Sequence, residues 1–197
     1  LRQIIGLETP DRGEILIDGQ PVPADGAMSR FRMAMVFQSG ALLNSLTVEE
    51  NVSLYLTEHR LKPPAEIKRI VTEKLALLGL VGAGKKMPGE VSGGMKKRVA
   101  IARALVVEPL LILYDEPTSE LDPLIAVTIG REIMALRERI GATSIVVTHD
   151  RDLAFGIADR LALMHEGRIL ALGTAGEVTH HPDPLIQQFL NVSFKSP

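Results

Sequence analysis

Apolar residues along the chain follow two different periods, and the change between them predicts its secondary structure. Residues 110–114 form a continuous apolar run that ends at Asp115, and residues 143–148 form a second strand-like run before His149. Such runs are typical of strands buried on both faces of a parallel sheet. Residues 32–38 predict a third strand. Because strands and helical segments alternate in the second half, the pattern predicts an α/β domain with a parallel sheet.

Helical spacing dominates the middle of the chain. Thr47 and Glu50 have the spacing of a capping box, in which each side chain bonds the backbone N–H of the other residue. The apolar residues that follow share one helical face, and the prolines at residues 63–64 break the chain. A second helical pattern then ends at Gly79. These signals predict a helical insert over residues 47–90, between the strand-bearing parts of the chain.

Turn and cap residues predict the remaining boundaries. Residues 1–5 place three apolar side chains on one helical face, and Gly6 has the position of a helix stop. Further on, Asp122 is a helix cap followed by a proline, and a Glu-Gly pair marks a hairpin turn. These signals predict a short strand at residues 13–19 and helices at residues 92–107 and 122–140. They also predict a hairpin at residues 161–172 and a final helix at residues 184–190.

Composition narrows the functional classes. The 197 residues include 22 Lys and Arg against 24 Asp and Glu, and a formal net charge of -2 argues against a protein that coats nucleic acid. The apolar fraction of 46% is sufficient for a packed core, and the absence of cysteine excludes disulfides and thiolate metal sites. No apolar run approaches the roughly 20 residues that a membrane-spanning helix needs. The chain therefore predicts one globular domain.

Polar residues fall at the ends of four predicted elements. Gln38 ends a strand, Ser92 starts a helix, Asp115 and Glu116 end the central strand, and His149 ends the next one. Each has a structural alternative: a loop glutamine, a simple helix cap, a solvated acidic turn, and a histidine satisfied by its neighbours. In open α/β sheets, however, ligands bind at the carboxyl edge. Together the four sites predict nucleotide hydrolysis, which needs a metal-holding carboxylate and a positioned water.

In this order the motifs resemble those of the nucleotide-binding domain of an ABC transporter. Gln38 corresponds to the Q-loop glutamine, and residues 91–95 correspond to the signature motif. Residues 111–116 correspond to the Walker B motif with its catalytic glutamate, residues 119–122 to the D-loop, and His149 to the switch histidine. The resemblance extends over the whole chain. It implies a single α/β domain of the P-loop NTPase class. A three-layer RecA-like core with a parallel sheet would comprise residues 1–44 and 101–197, and an α-helical subdomain with the signature motif residues 45–100.

The resemblance also implies the cofactors, ATP and Mg²⁺, and the roles of the motif residues. The catalytic residues would be Glu116, His149 and Gln38; the ATP-binding residues Ser92, Gly93, Gly94 and Asp122; and the Mg²⁺ ligands Asp115 and Gln38. In the family the signature motif contacts the ATP held by a second copy, so two ATPs lie between two subunits. The chemistry agrees, because a helix start offers free N–H groups and a positive dipole end to an anion, and Mg²⁺ prefers oxygen ligands.

The sequence departs from the family pattern at several places. Val91 and Met95 replace the usual Leu and Gln of the signature, and Glu120 replaces a residue that is often small. More importantly, no G-x-x-x-x-G-K-[ST] phosphate-binding sequence occurs. In the family this loop, and the strand before it, precede a helix that resembles residues 1–7. We therefore expect truncation of the N-terminal strand and P-loop, and a polypeptide that neither hydrolyses ATP nor folds stably, because a central sheet position is empty.

One subgroup of the family is more similar than the others. Residues 38–43, Met95 and residues 181–190 resemble the ATPases of Mla-type, MCE-associated lipid transporters. This implies ATP hydrolysis coupled to transport of phospholipid or a related lipid, on the cytoplasmic side of the inner membrane. The implied partners are a second ATPase subunit, permease subunits docking near residues 38–46, and an MCE-type lipid-binding protein, with no nucleic acid.

Three other functions are open at this point. The chain could serve an importer of amino acids or other small solutes, or be a non-catalytic regulatory subunit. Glu116 and His149 argue against the regulatory alternative. An ABC ATPase of DNA repair or chromosome organisation would carry long coiled coils between the Q-loop and the signature. The insert here is short and lacks sustained heptads, which argues against that class.

Overall fold

The computed structural model describes residues 1–23 and 27–191. The chain divides into two compact units, of which the first ends at Val147 and the second begins at Thr148. The first unit contains, in chain order, β1 (Leu16–Ile17), β2 (Gln20–Pro21), α1 (Ala27–Arg30), β3 (Met33–Val36), α2 (Val48–Glu58), α3 (Pro64–Leu77), a 3₁₀ helix (Pro88–Glu90), α4 (Gly93–Leu105), β4 (Leu111–Asp115), α5 (Pro123–Ile140) and β5 (Thr143–Val147). The second contains α6 (Arg151–Ile157), β6 (Leu161–His165), β7 (Arg168–Gly173), α7 (Ala175–Thr179) and α8 (Pro184–Leu190).

A parallel sheet with the order β3-β4-β5 organises the first unit. All residues of β3 and the three central residues of β4 are buried, as their continuous apolar sequences predict. The predicted parallel sheet is therefore confirmed.

The prediction of a second buried strand at residues 143–148 is wrong in its burial. Side chains along β5 alternate between exposed and half-buried, and Ile145 and Val147 are 38% and 44% exposed. Among the described residues β5 pairs only with β4 and lies at an edge of this sheet. Side chains of a strand project from the two faces of the sheet, so an apolar sequence is buried only where other elements cover those faces.

The predicted helix starts are confirmed by their caps. Thr47 accepts a hydrogen bond from the Glu50 N–H and the Glu50 side chain accepts from the Thr47 N–H, which completes the capping box of α2. The Ser92 side chain caps α4 and the Asp122 side chain caps α5. Gly79 follows α3 with a positive φ of 66°, the conformation expected of a glycine stop.

The predicted N-terminal helix is a single turn. The Ile5 N–H donates to the Leu1 carbonyl, and the Leu7 N–H reaches back to the Arg2 carbonyl around Gly6, which has a φ of 81°. This pattern of hydrogen bonds is the usual glycine-terminated helix end. Ile5 nevertheless is buried against the sheet with Met35. The apolar face was therefore correctly predicted, but Gly6 ends the helix after one turn.

The second unit contains the predicted hairpin and final helix. Strands β6 and β7 pair antiparallel, with an irregularity after Leu163. Ala171 of β7, Val178 of α7 and two residues of α8 form its buried core.

In the first unit, the predicted strand at residues 13–19 is shorter than expected and consists of β1, which pairs with β2. In the described part of the chain, none of the helices combines the length and apolar character needed to cross a membrane.

Candidate nucleotide-hydrolysis site

Two of the predicted sites meet at the carboxyl edge of the sheet. Strands β3 and β4 run parallel in adjacent positions, with Val36 opposite Tyr114. Asp115 is the last residue of β4 and Glu116 follows it, while Gln38 comes two residues after the end of β3. Gln38 is exposed, and the two acidic residues are half-buried. The structure therefore brings Gln38 and the acidic pair to one edge, where ligands bind in open α/β sheets.

A tight turn fixes the backbone of Glu116. Its φ is 45°, in the left-handed region that residues other than glycine adopt at a cost of about 1 kcal/mol or more. Its N–H donates to the Val147 carbonyl at 2.9 Å. Its carbonyl accepts from the Ser119 N–H at 3.2 Å and from the Ser119 hydroxyl at 2.9 Å. These bonds hold Glu116 in a single backbone conformation beside Asp115.

A lysine that the sequence analysis did not single out lies beneath this turn. The Lys97 ammonium group donates to the Gln38 carbonyl, to the Glu116 carbonyl at 3.4 Å and to the Ser119 hydroxyl at 3.2 Å. The residue is only 5% exposed. Burial lowers the pKa of Lys97, and the charges of Glu120 and Glu116 partly oppose that shift.

The sequence did contain a signal for Lys97. The residue shares one face of α4 with the buried residues Gly94, Ile101 and Leu105. A lysine at a position that helical spacing assigns to the core must have partners for its N–H groups, since burying an unpaired charge is costly.

The glycines of the signature motif pack α4 closely against the chain that follows β4. A Cβ atom on Gly94 would lie 2.8 Å from Ile125 Cγ2, a distance that side chains do not tolerate. A Cβ atom on Gly93 would lie 3.4 Å from Leu121 Cδ2. Gly94 therefore has a packing role in this chain, whatever it contributes to binding, and Gly93 is the exposed member of the pair.

Ser92 and Asp122 act as helix caps in this structure. The Ser92 hydroxyl oxygen accepts from the Met95 N–H at 3.3 Å, which leaves its own proton available for another acceptor. Asp122 Oδ1 accepts from the Leu124 and Ile125 N–H groups at 3.1 and 3.0 Å. The structural alternative stated for Ser92 is thus realised, and ATP binding by Ser92, Gly93, Gly94 and Asp122 stays a prediction.

His149 belongs to the second unit. It lies two residues after Val147, and its side chain is exposed. The next residue, Asp150, caps α6 by accepting from the Leu153 N–H at 3.1 Å, and its N–H donates to the Thr148 hydroxyl at 3.0 Å. The chain around His149 is therefore a capped strand-to-helix turn, and its catalytic role stays a prediction.

The oxygen donors of Asp115 and Gln38 at the sheet edge suit Mg²⁺, which binds few protein ligands, better than a metal ion whose ligands all come from protein side chains. The described residues include no group of three His, Asp or Glu side chains arranged to hold a metal ion. Asp115 and Gln38 offer a carboxylate and an amide oxygen. Mg²⁺ usually takes one or two carboxylates and completes its octahedron with water and phosphate oxygens.

A cavity of about 410 Å³ lies away from this edge. Its lining includes Arg32, Tyr55, Glu66 and Lys74, and none of the predicted site residues. Cavity size therefore does not locate the chemistry in this chain, and the candidate site is an open sheet edge.

Comparisons with known proteins agree with this geometry. A family model described as ABC transporter matches residues 1–119. The probable ribonucleotide transport ATP-binding protein mkl of Mycobacterium tuberculosis is 40% identical over 195 residues, which cover 97% of this chain and 54% of mkl. The intermembrane phospholipid transport system ATP-binding protein MlaF of Escherichia coli K12 is 42% identical over 195 residues, 97% of this chain and 72% of MlaF. The chain thus spans about half the length of the first curated relatives.

Solved structures confirm the fold. CbiO1 of Clostridium perfringens, part of an ABC transporter complex, superposes with a TM-score of 0.81 at 31% identity, over 97% of this chain and 77% of that one. A dimeric ATP-binding cassette in a post-hydrolysis state, bound to ADP and Pi, gives a TM-score of 0.76 at 31% identity. The match covers 88% of this chain and 78% of that one. The predicted P-loop NTPase class is confirmed. The chain belongs to the ABC transporter family, as an ATP-binding domain.

Proposed function

We propose that the chain is the ATP-binding part of an ABC transporter and couples ATP hydrolysis to transport of phospholipid or a related lipid. The observation that carries the hydrolytic part is the shared sheet edge, where Gln38, Asp115 and the fixed Glu116 turn lie together. The cofactors we propose are ATP and Mg²⁺.

Each residue at the edge has a task that its chemistry suits. Asp115 supplies the carboxylate oxygen for Mg²⁺, which when bound neutralises phosphate charge. Glu116 orients and deprotonates the attacking water, an effect worth about 10²–10⁴-fold in rate. Gln38 contributes an amide oxygen at the end of the neighbouring strand. For His149, which belongs to the second unit, we propose donation to the γ-phosphate from the motif resemblance alone.

The assembly we propose has two copies of the ATPase. The first turn of α4 leaves backbone N–H groups at Gly93 and Gly94 at the positive end of the helix dipole. These groups suit a phosphate of the ATP bound by the other copy. The similarity to a dimeric ATP-binding cassette bound to ADP and Pi supports an assembly of two copies.

Hydrolysis also needs a phosphate-binding loop, and residues 1–197 contain no G-x-x-x-x-G-K-[ST] sequence. We propose that residues 1–197 are inactive alone, and that a longer protein in which they are joined to a phosphate-binding loop hydrolyses ATP. The test is Mg²⁺-dependent phosphate release by both polypeptides, with Asp115→Asn as the control. Mg²⁺-dependent ATPase activity in residues 1–197 alone would contradict the first statement. Absence of activity in the longer protein would favour a non-catalytic regulatory subunit.

The lipid substrate rests on the similarity to MlaF, whose name specifies intermembrane phospholipid transport. The rival is import of a small solute. The name of mkl specifies probable ribonucleotide transport, which favours a small solute over a lipid as substrate. We propose permease subunits that dock near residues 38–46, and an MCE-type lipid-binding protein as a further partner. The chain would then be a peripheral protein on the cytoplasmic side of the inner membrane.

One experiment separates the two substrates. The complex purified with its permease is reconstituted, and its ATPase rate is measured with phospholipid vesicles and with ribonucleotides or amino acids. Stimulation of the ATPase rate by phospholipid vesicles supports the lipid assignment. Stimulation by a small solute only would replace it with the importer.

A further inference from the structure

We infer that Lys97 is a positioning residue that ties the signature helix α4 to the two backbone segments carrying Gln38 and Glu116. The inference rests on the proposed function, because it assigns a task within the same site. Neither the motif comparison nor the proposed mechanism gives Lys97 a role.

Hydrogen-bond counting shows how completely Lys97 is used. An ammonium group has three N–H donors and no acceptor. Its three acceptors are the Gln38 carbonyl, the Glu116 carbonyl and the Ser119 hydroxyl, which lie 59, 19 and 22 residues away along the chain. One side chain therefore joins α4 to the loop after β3 and to the loop after β4.

The turn that Lys97 contacts contains two residues in an unfavourable backbone conformation. Glu116 and Glu120 have φ values of 45° and 64°, in the left-handed region. Such conformations persist only where the surroundings hold them. The Ser119 hydroxyl accepts from Lys97 and donates to the Glu116 carbonyl at 2.9 Å, so the two contacts reinforce each other. The direction in which the Glu116 side chain leaves the backbone depends on this arrangement.

A second cation of α4 holds the other segment. The Arg103 guanidinium donates to the Ala41 and Gly40 carbonyls, both at 2.6 Å. Ala41 and Gly40 also have positive φ values, 46° and 74°. Together with the Gln38 carbonyl, three backbone oxygens of residues 38–41 are bound to two cations of one helix. The loop after β3 and the Glu116 turn therefore share a common support in α4.

The test uses the longer, ATPase-competent protein and compares Lys97→Met with Lys96→Met, which removes the neighbouring lysine. We expect Lys97→Met to lower kcat about 10- to 100-fold, the effect of a small displacement of a catalytic group. The KM for ATP should stay within about twofold, because Lys97 contacts no phosphate in the proposed site. Lys97→Arg should recover part of kcat, and Lys96→Met should leave both constants unchanged. An unchanged kcat in folded Lys97→Met would overturn the inference.

Amide hydrogen exchange gives a readout that does not require catalysis. The N–H groups of Gly40, Glu116 and Ser119 are each hydrogen-bonded to backbone carbonyls. In Lys97→Met these three amides should exchange at least about tenfold faster, while amides in α3 should not change. Unchanged exchange of these three amides would overturn the inference about Lys97, whether or not the wild-type protein hydrolyses ATP. Absence of ATPase activity in the wild-type protein would refute the proposed function instead. Should Lys97→Met not fold, Lys97→Gln is measured in the same way.

Discussion

Replacing Gly94 by alanine tests whether the signature glycine has a packing role of its own. The new Cβ atom would lie 2.8 Å from Ile125 Cγ2, which is 0.6 Å short of an ordinary contact of 3.4 Å. Cγ2 is attached directly to the Ile125 Cβ atom, and χ1 of a β-branched residue in a helix is stiff. The clash must therefore be relieved by moving α4 or α5.

The magnitude follows from two opposing effects. Inserting a methyl group into a packed contact costs about 1–3 kcal/mol. Alanine returns at most about 1 kcal/mol through its helix propensity, and less in the first turn than in the helix interior. We therefore expect Gly94→Ala to lower the free energy of unfolding by about 1–2 kcal/mol, measured by urea denaturation.

Gly93→Ala is the matched control. Its Cβ atom would lie 3.4 Å from Leu121 Cδ2, a terminal methyl group that can rotate away. This variant should be neutral within about 0.5 kcal/mol or slightly stabilising. Ile125→Ala should relieve the clash, so the pair with Gly94→Ala should be non-additive by more than about 0.5 kcal/mol. Equal destabilisation by both glycine variants, or simple additivity with Ile125→Ala, would refute the packing argument.

Three further outcomes follow from the same contacts. Asn51 is fully buried and bonds the Leu43 N–H and three carbonyls, so Asn51→Ala should destabilise the protein by about 2–4 kcal/mol in urea denaturation; a loss below about 1 kcal/mol would contradict this. Leu43 is 47% exposed whereas Leu42 is half-buried, so Leu43→Asp should weaken co-purification with a permease at unchanged ATPase activity; intact co-purification would remove this surface from the proposed interface. Burial lowers the pKa of Lys97 below its ordinary value of 10.5, so the Lys97 amine binds its proton more tightly in the unfolded chain than in the folded one. The contribution of Lys97 to the free energy of unfolding therefore rises with pH between the lowered pKa and 10.5. The free energy of unfolding of wild type minus Lys97→Met, measured at several pH values, should therefore grow through this window, and a constant or falling difference would contradict it.

Local signals in the sequence were sufficient for much of the fold. Thr47 and Asp122 mark helix starts through bonds to residues three or fewer positions away, so their sequence context contains the whole interaction. The apolar run before Asp115 predicted a buried strand, because burial on both faces removes the polar alternation, and residues 32–38 predicted another strand of the sheet. The structure shows that the two strands are adjacent. Since parallel strands share a carboxyl edge, the meeting of Gln38 with Asp115 could be anticipated.

The sequence was less informative wherever distant partners decide the outcome. Residues 143–147 have the composition of a buried strand, but their exposure depends on which elements cover the faces of the sheet. Residues 1–5 have a helical apolar face, but Gly6 ends the helix after a single turn. Helical spacing assigns Lys97 to the buried face of α4, but its partners could not be predicted, because its three acceptors are 19 or more residues away and two of them are backbone carbonyls.

The central claim is that the acidic pair at the end of β4 is the hydrolytic centre, with Glu116 acting on the water. The most direct measurement is a single-turnover assay of ATP hydrolysis by the longer protein and its Glu116→Gln variant, at equal occupancy by bound ATP. We predict that the variant binds ATP as the wild type does and cleaves it about 10²–10⁴-fold more slowly. Cleavage within about threefold of the wild-type rate would contradict the account.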